Sequence, residues 1–173
     1  MAKETHPDIR RTLLFLRQDD EILIAMKKRG FGANKWNGVG GKIEAGETIE
    51  AALIRETEEE IGVTPTNYWQ VAELDFIQDA ETADPWHMYV YAYLCDEWTG
   101  QPTESEEMAP RWFKLYEIPY QTMWEDDEHW LPKVLLGDKV TGEFKFDIDD
   151  RLVDHSIVAV DRLPHEASQI DQG

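Results

Sequence analysis

Residues 41–63 run Gly41-Lys42-Ile43-Glu44-Ala45-Gly46-Glu47-Thr48-Ile49-Glu50-Ala51-Ala52-Leu53-Ile54-Arg55-Glu56-Thr57-Glu58-Glu59-Glu60-Ile61-Gly62-Val63. Leu53, Ile54, Thr57 and Ile61 mark the inward side of a helix. Thr48 suits its N-cap and Gly62 its C-terminal end. At ~100° per residue, Glu56, Glu59 and Glu60 fall within a narrow arc of one face. Carboxylates at i, i+3 and i+4 repel one another, so this face calls for a positive partner. Hard divalent cations such as Mg²⁺ take oxygen ligands and arrive with substrate phosphates. A Glu-rich helical run on its own is most often a solvated face. Here Gly40, Gly41 and Gly46 permit a tight loop and specify a loop–helix–loop whose acids are aimed one way.

Working outward, the 173-residue chain has room for one domain with a full core. An apolar fraction of 42% with seven tryptophans predicts a folded globule. No apolar run approaches the ~20 residues of a membrane span, and the N-terminus has no signal-peptide pattern. The lone Cys95 excludes an internal disulfide and ends an apolar stretch, which makes it a core residue. A cytoplasmic location is expected. The net charge of −19 disfavours nucleic-acid polymers and anionic membranes. A small nucleotide is still admissible, because metal ions neutralise its phosphates. Nothing in the sequence calls for an obligate partner, so a monomer is expected. The five histidines show no paired spacing, which argues against zinc.

Strands are predicted at 12–16, 22–26, 71–77, 87–95, 112–115, 143–147 and 152–160, with a second helix at 130–136 opening at Asp126 or Asp127. Segments 31–40, 79–85 and 100–110 read as loops. Strands around two helices predict an α/β fold, a mixed β-sheet in an α/β/α sandwich. The domain is expected to span residues 8–163, followed by a disordered polar tail at 164–173.

The spacing Gly41, Glu47, Arg55-Glu56, Glu58, Glu59-Glu60, Ile61, Gly62, Val63 resembles the signature box of the Nudix hydrolases. Thr57 departs from it, standing where an aliphatic residue is usual. The segments 26–38, Glu104-Ser105-Glu106-Glu107-Met108, Met123-Trp124-Glu125-Asp126-Asp127 and Phe144-Lys145-Phe146 are similar to the branch of that family acting on oxidised purine nucleoside triphosphates of the 8-oxo-dGTP and 2-oxo-dATP type. The resemblance runs from about Thr12 to the last strand. It implies the Nudix fold, Mg²⁺ as cofactor (with Mn²⁺ as a substitute), and hydrolysis to a monophosphate and pyrophosphate that sanitises the nucleotide pool. It assigns Glu56, Glu59, Glu60 and the Gly40 carbonyl to the metal, with Glu107 as an additional ligand. Arg55 orients a box glutamate. Asn37, Asp126 and Asp127 read the purine edge; Trp124 and Phe31 give it flat apolar surfaces; Met108 and Thr12 belong to the pocket; Lys27 lies near the phosphates.

Each residue also has a plainer role. Asp126-Asp127 alone would be a helix cap, Trp124 core, Asn37 a turn residue, Lys27 a solvated strand end and Glu107 a loop acid. Their joint occurrence in the expected order favours the pocket. Two adjacent carboxyls facing a neutral purine cannot easily both ionise, so one is expected to stay protonated. The box alone leaves open a hydrolase of ADP-ribose, dinucleotides or nucleotide sugars, and also a Nudix-fold nucleotide-binding protein without turnover.

Overall fold

The computed structural model describes residues 9–82 and 84–170. Strand β1 (Ile9–Gln18) shows how the layers arise. Its side chains alternate, sending Phe15 into one core and Leu14 and Leu16 into the other. It pairs in parallel with β5 (His87–Thr99), and β5 pairs antiparallel with β4 (Thr64–Gln78). Beyond β4 come parallel β7 (Lys139–Phe146) and antiparallel β8 (Leu152–Val160).

On its other side β1 meets β2 (Glu21–Lys27) only at Arg17–Ile22 and Gln18–Glu21. After that hairpin β2 splays away to pair with β3 (Trp36–Asn37) and with β6 (Met108–Lys114). The path β3-β2-β1-β5-β4-β7-β8, with β6 also on β2, is the mixed sheet expected. Helix α1 (Ile49–Ile61) covers the core containing Leu14, Leu53, Ile61 and Tyr93; α2 (Asp127–Leu135) covers the other through Trp130, Leu131 and Val134.

Three expectations are corrected. Strand β4 begins seven residues early, at Thr64, because bulges near Pro65, Asn67 and Gln70 break its alternation. Strand β6 begins at Met108, inside the segment read as an acidic loop. The segment from 164 is not a disordered tail: Pro164–Ile170 forms helix α3. Leu163 before it is fully buried, Glu166 pairs with Lys139 at 2.8 Å, and the His165 backbone N–H donates to Glu73 at 2.9 Å. A polar composition suggested solvent; the polar groups instead find partners on β4 and β7. Asp8 and residues 171–173, which the sequence assigned to the domain start and the tail, lie outside the described residues. Among those described, no helix is long and apolar enough to cross a membrane.

Candidate active site

The gap left as β2 splays from β1 is filled by residues 38–43. Val39 exchanges backbone hydrogen bonds with Leu14 at 2.7 and 2.9 Å, and the N–H groups of Thr12 and Ile43 donate to Gly41 and Arg10. The segment therefore runs along β1, one wall of a cleft. Gly40 has φ +152°, and a Cβ there would sit 2.0 Å from the Thr12 carbonyl oxygen. A Cβ on Gly41 would meet the Glu56 carboxylate at 2.5 Å. Only glycine lets the backbone come this close to the acid helix.

Helix α1 is held as its sequence specifies. Thr48 accepts from the Ala51 N–H at 3.1 Å, and Gly62 closes the helix in the left-handed conformation at φ +70°. Thr57, the departure from the family pattern, is fully buried and donates its hydroxyl to the Leu53 carbonyl at 2.7 Å. Its polar atom is thereby satisfied in an apolar layer.

Arg55 organises the acids. It forks onto Glu47 with two contacts of 2.8 Å, reaches Glu56 at 3.0 Å and Glu59 at 3.3 Å, and donates to the Lys42 carbonyl. The Arg55 guanidinium holds the Glu47 carboxyl at about 2. Glu60 is 5% exposed and accepts from the Gly40 N–H at 3.2 Å; burial pushes its carboxyl up to about 7. Burial also raises Glu56, offset in part by Arg55. Glu107 is drawn to Arg29 at 2.8 Å and Lys27 at 3.3 Å, and Arg29 above all lowers its pKa. Among the described residues no group of three or more His, Cys, Asp or Glu side chains is already gathered as a metal site.

The second part of the cleft is apolar with an acidic floor. Leu13, Phe31, Trp86, Met108, Trp124 and Phe146 surround Asp126 and Asp127, and Thr12, Lys27, Asn37 and Gly40 also line it. Phe31 and Trp124 stack on each other, 5.2 Å between centroids and 26° between planes. The Lys35 ammonium lies 5.1 Å over Trp124. The two flat surfaces expected for a base are thus already paired with each other, and Phe31 keeps 47% exposure. Thr12 is buried, with its hydroxyl turned to the Gly41 backbone at 3.4 and 3.5 Å. Asn37 spends its side-chain oxygen on the Gly38 N–H at 2.8 Å.

Asp126 and Asp127 are 4% and 2% exposed. Asp126 precedes α2 but makes no side-chain capping bond; its Oδ2 accepts from the Trp130 indole N–H at 2.9 Å. Among the described residues Asp127 Oδ2 has no hydrogen-bond partner. Burial raises Asp126 to about 6 and also raises Asp127 well above the usual carboxylate range, with the Asp126 charge adding to it. The two aspartates line the same pocket, and although Asp126 stands at the N-cap position of α2 its side chain is given to Trp130 rather than to the helix start.

All the residues nominated from sequence thus line one or both parts of the cleft, apart from Arg55, which stands behind the acids as their anchor. Sequence reasoning missed Trp86, Phe146, Phe76 and Arg11. Period-two alternation in β7 puts Phe144 and Phe146 inward, a signal that was available but marks core and pocket alike. Trp86 follows a polar loop and carried no such signal.

The NUDIX domain family matches residues 7–134. The oxidized purine nucleoside triphosphate hydrolase of Danio rerio is 42% identical over 154 residues, covering 88% of this chain and 96% of that protein. The Mus musculus protein of the same name is 42% identical over 150 residues, 87% and 94% of the two chains. In structure, a mutator MutT protein from Bacillus halodurans superposes with a TM-score of 0.76 at 26% identity, covering 86% of this chain and 97% of its own. With the box on α1, the glycine wall and these matches over most of its length, the chain belongs to the Nudix family.

Proposed function

We propose that this protein is a nucleoside triphosphate diphosphatase acting on oxidised purine nucleotides, releasing a monophosphate and pyrophosphate. One observation carries the proposal: the aromatic pocket holding Asp126 and Asp127 and the acid face of α1 are neighbours, sharing Arg11, Lys27 and Gly40 in their linings. A single ligand with a purine at one end and phosphates at the other fits both. The curated relatives' names point the same way.

The donor set fits a hard divalent cation, Mg²⁺ or Mn²⁺: all oxygens, with the buried Glu60 and half-buried Glu56 carboxylates, whose ionised forms burial disfavours. Glu56, Glu59, Glu60 and the Gly40 carbonyl would hold it, with Glu107 at the margin. When bound, such an ion neutralises phosphate charge and lowers the pKa of a water. The chain's own residues do the rest. Arg55 fixes the acids through Glu47, Lys27 sits at the phosphate end, and the aromatic walls exclude water from the base. Asp126 and Asp127 supply one acceptor and, when protonated, one donor to the purine edge. On this reading it works in the cytoplasm as a monomer on a small nucleotide.

Incubation with Mg²⁺ and a panel of normal and oxidised nucleoside triphosphates, reading pyrophosphate, tests this. Release confined to oxidised purines supports it. Release only from ADP-ribose, dinucleotides or nucleotide sugars moves the substrate, and nucleotide binding with no turnover on any of them makes the chain a binding protein.

A further inference from the structure

Three residues line both parts of the cleft: Gly40, Lys27 and Arg11. Gly40 has no side chain, and the Lys27 ammonium is engaged by Glu107 at 3.3 Å. Arg11 stands differently. Its backbone is fixed in β1, paired with Val90 of β5 on one side and bridged to Lys42 on the other. Its side chain is half-buried. Among the described residues no carboxylate lies within ion-pair distance of its guanidinium, and no side-chain hydrogen bond is made by it. It acts on the Glu56 carboxylate only through space. A half-buried guanidinium in a chain of net charge −19, without a paired carboxylate among its described neighbours, invites an anionic partner.

The ligand supplies one. Resting on the function proposed above, the base lies over Asp126 and Asp127 and the scissile phosphates lie at Glu56 and Glu60. The phosphate attached to the nucleoside must then cross the junction that Arg11 borders. We infer that the Arg11 guanidinium binds this nucleoside-proximal phosphate, making Arg11 a substrate-binding residue of the cleft. The planar fork of arginine matches two phosphate oxygens at once, which a lysine cannot do. The contact is present in substrate and in monophosphate product alike. It therefore acts on KM and on product release more than on kcat. The competing role is that Arg11 only offsets the charge of Glu56, in which case its loss changes metal affinity and leaves phosphate recognition untouched.

Binding without metal separates the two. Titrate the wild type, Arg11→Gln and Arg11→Lys in EDTA with 8-oxo-2′-deoxyguanosine and with its 5′-monophosphate, following tryptophan fluorescence, with melts to confirm folding. Run the unoxidised nucleoside and monophosphate in parallel. Arg11→Gln should weaken the monophosphate about 10- to 100-fold, the range for losing a hydrogen bond to a charged group, and leave the nucleoside unchanged. Arg11→Lys should fall between. Unchanged monophosphate affinity in either folded variant, or equal losses for nucleoside and monophosphate, overturns the inference. If Arg11→Gln spares nucleosides and weakens monophosphates of oxidised and normal bases equally, with no base preference in the wild type, Arg11 stands and the oxidised-purine reading falls. Binding of none of these probes by the wild type removes both.

Discussion

Glu60 on α1 and Asp127 at the head of α2 are buried to a similar degree and open on the same cleft, yet their surroundings differ in kind. Around Glu60 stand a backbone N–H from Gly40, the Lys27 charge and the Arg55 network. Around Asp127 there is another carboxyl, an indole already given to Asp126, and aromatic rings. Burial raises both groups, but the first set is built from charges and the second almost without them. The α1 acids are suited to remain ionised once a cation joins them, whereas the α2 pair is suited to keep a proton. On the proposed function, the same residue chemistry would serve electrostatic neutralisation at one end of the ligand and hydrogen-bond readout at the other.

The comparison breaks most visibly at Glu60. Glu60→Gln removes a charge with almost no change in volume. Turnover should fall by about 100-fold or more, beyond the cost typical of a metal site's outer shell. The metal-free protein should not lose stability. Its folded pKa is about 7 against 4.5 for the free side chain. Between those values the folded state keeps a proton that the unfolded state gives up, so raising pH weakens the fold and glutamine avoids the loss. Pyrophosphate release and melts of the metal-free variant at pH 5 and pH 8 check both halves. Normal turnover would make the acid face a solvated helix.

Glu47→Gln should come next. Glu47 touches no ligand on this account; it fixes Arg55 through two 2.8 Å contacts, and Arg55 fixes Glu56. Loss of one anchor in a metal's outer shell costs about 10- to 100-fold in metal affinity or activity. The loss should fall on the Mg²⁺ concentration needed for half-maximal rate and leave nucleoside affinity unchanged. A KM effect on nucleotide without a metal effect would put Glu47 elsewhere in the mechanism.

Trp124→Ala probes the other end. A base stacked on an aromatic is worth ~1–3 kcal/mol, so KM should rise about tenfold with a smaller change in kcat. The stack on Phe31 sharpens this: Phe31→Ala, which exposes a face of Trp124, should cost less than Trp124→Ala. Equal KM values for wild type and a folded Trp124→Ala would take the indole out of base binding.

These two regions were not equally legible in the sequence. The α1 site was nearly complete there, because helix periodicity, cap residues and glycine spacing are local and each has one physical meaning. Glu47 was visible as a fixed position, although its grip on Arg55 needed coordinates. The base pocket draws on every strand from β1 to β7, the head of α2 and the loops between them, so only resemblance could assemble Asn37, Trp124, Asp126 and Asp127. Trp86, Phe146 and Arg11 escaped because pairing of β1 with β5 and of β4 with β7 brings them in from distant chain positions. Helix α3 escaped for a related reason: its anchors, Glu73 and Lys139, lie about 90 and 27 residues away.

The smallest effect, a few-fold change of a ratio, is also the most specific to the α2 pair. Asp126 sits at about 6 in the folded protein against 3.8 for a free aspartate, and Asp127 is raised as well. Two coupled groups titrate as a pair, so the proton belongs to the dyad and can rest on either oxygen set. A purine with a keto group at one ring position wants a donor where an isomer with an amine wants an acceptor. Moving the proton between Asp126 and Asp127 would serve both. Asn donates and accepts but cannot exchange roles. Asp126→Asn and Asp127→Asn should therefore each shift the ratio of kcat/KM for 8-oxo-dGTP over 2-oxo-dATP, and in the wild type the two substrates should differ in pH dependence from about pH 5 to 9, a span set by the shifts seen for buried carboxyls. Stability gives an independent reading. Below 3.8 both states hold the protons; above it the unfolded chain releases them while the folded pair does not, so stability falls as pH rises from about 3.8 towards 6. Asp127→Asn should flatten that fall in melts taken across the same range. Wild-type ratios at every pH in both variants, together with an unflattened stability profile, would show that the pair reads no proton.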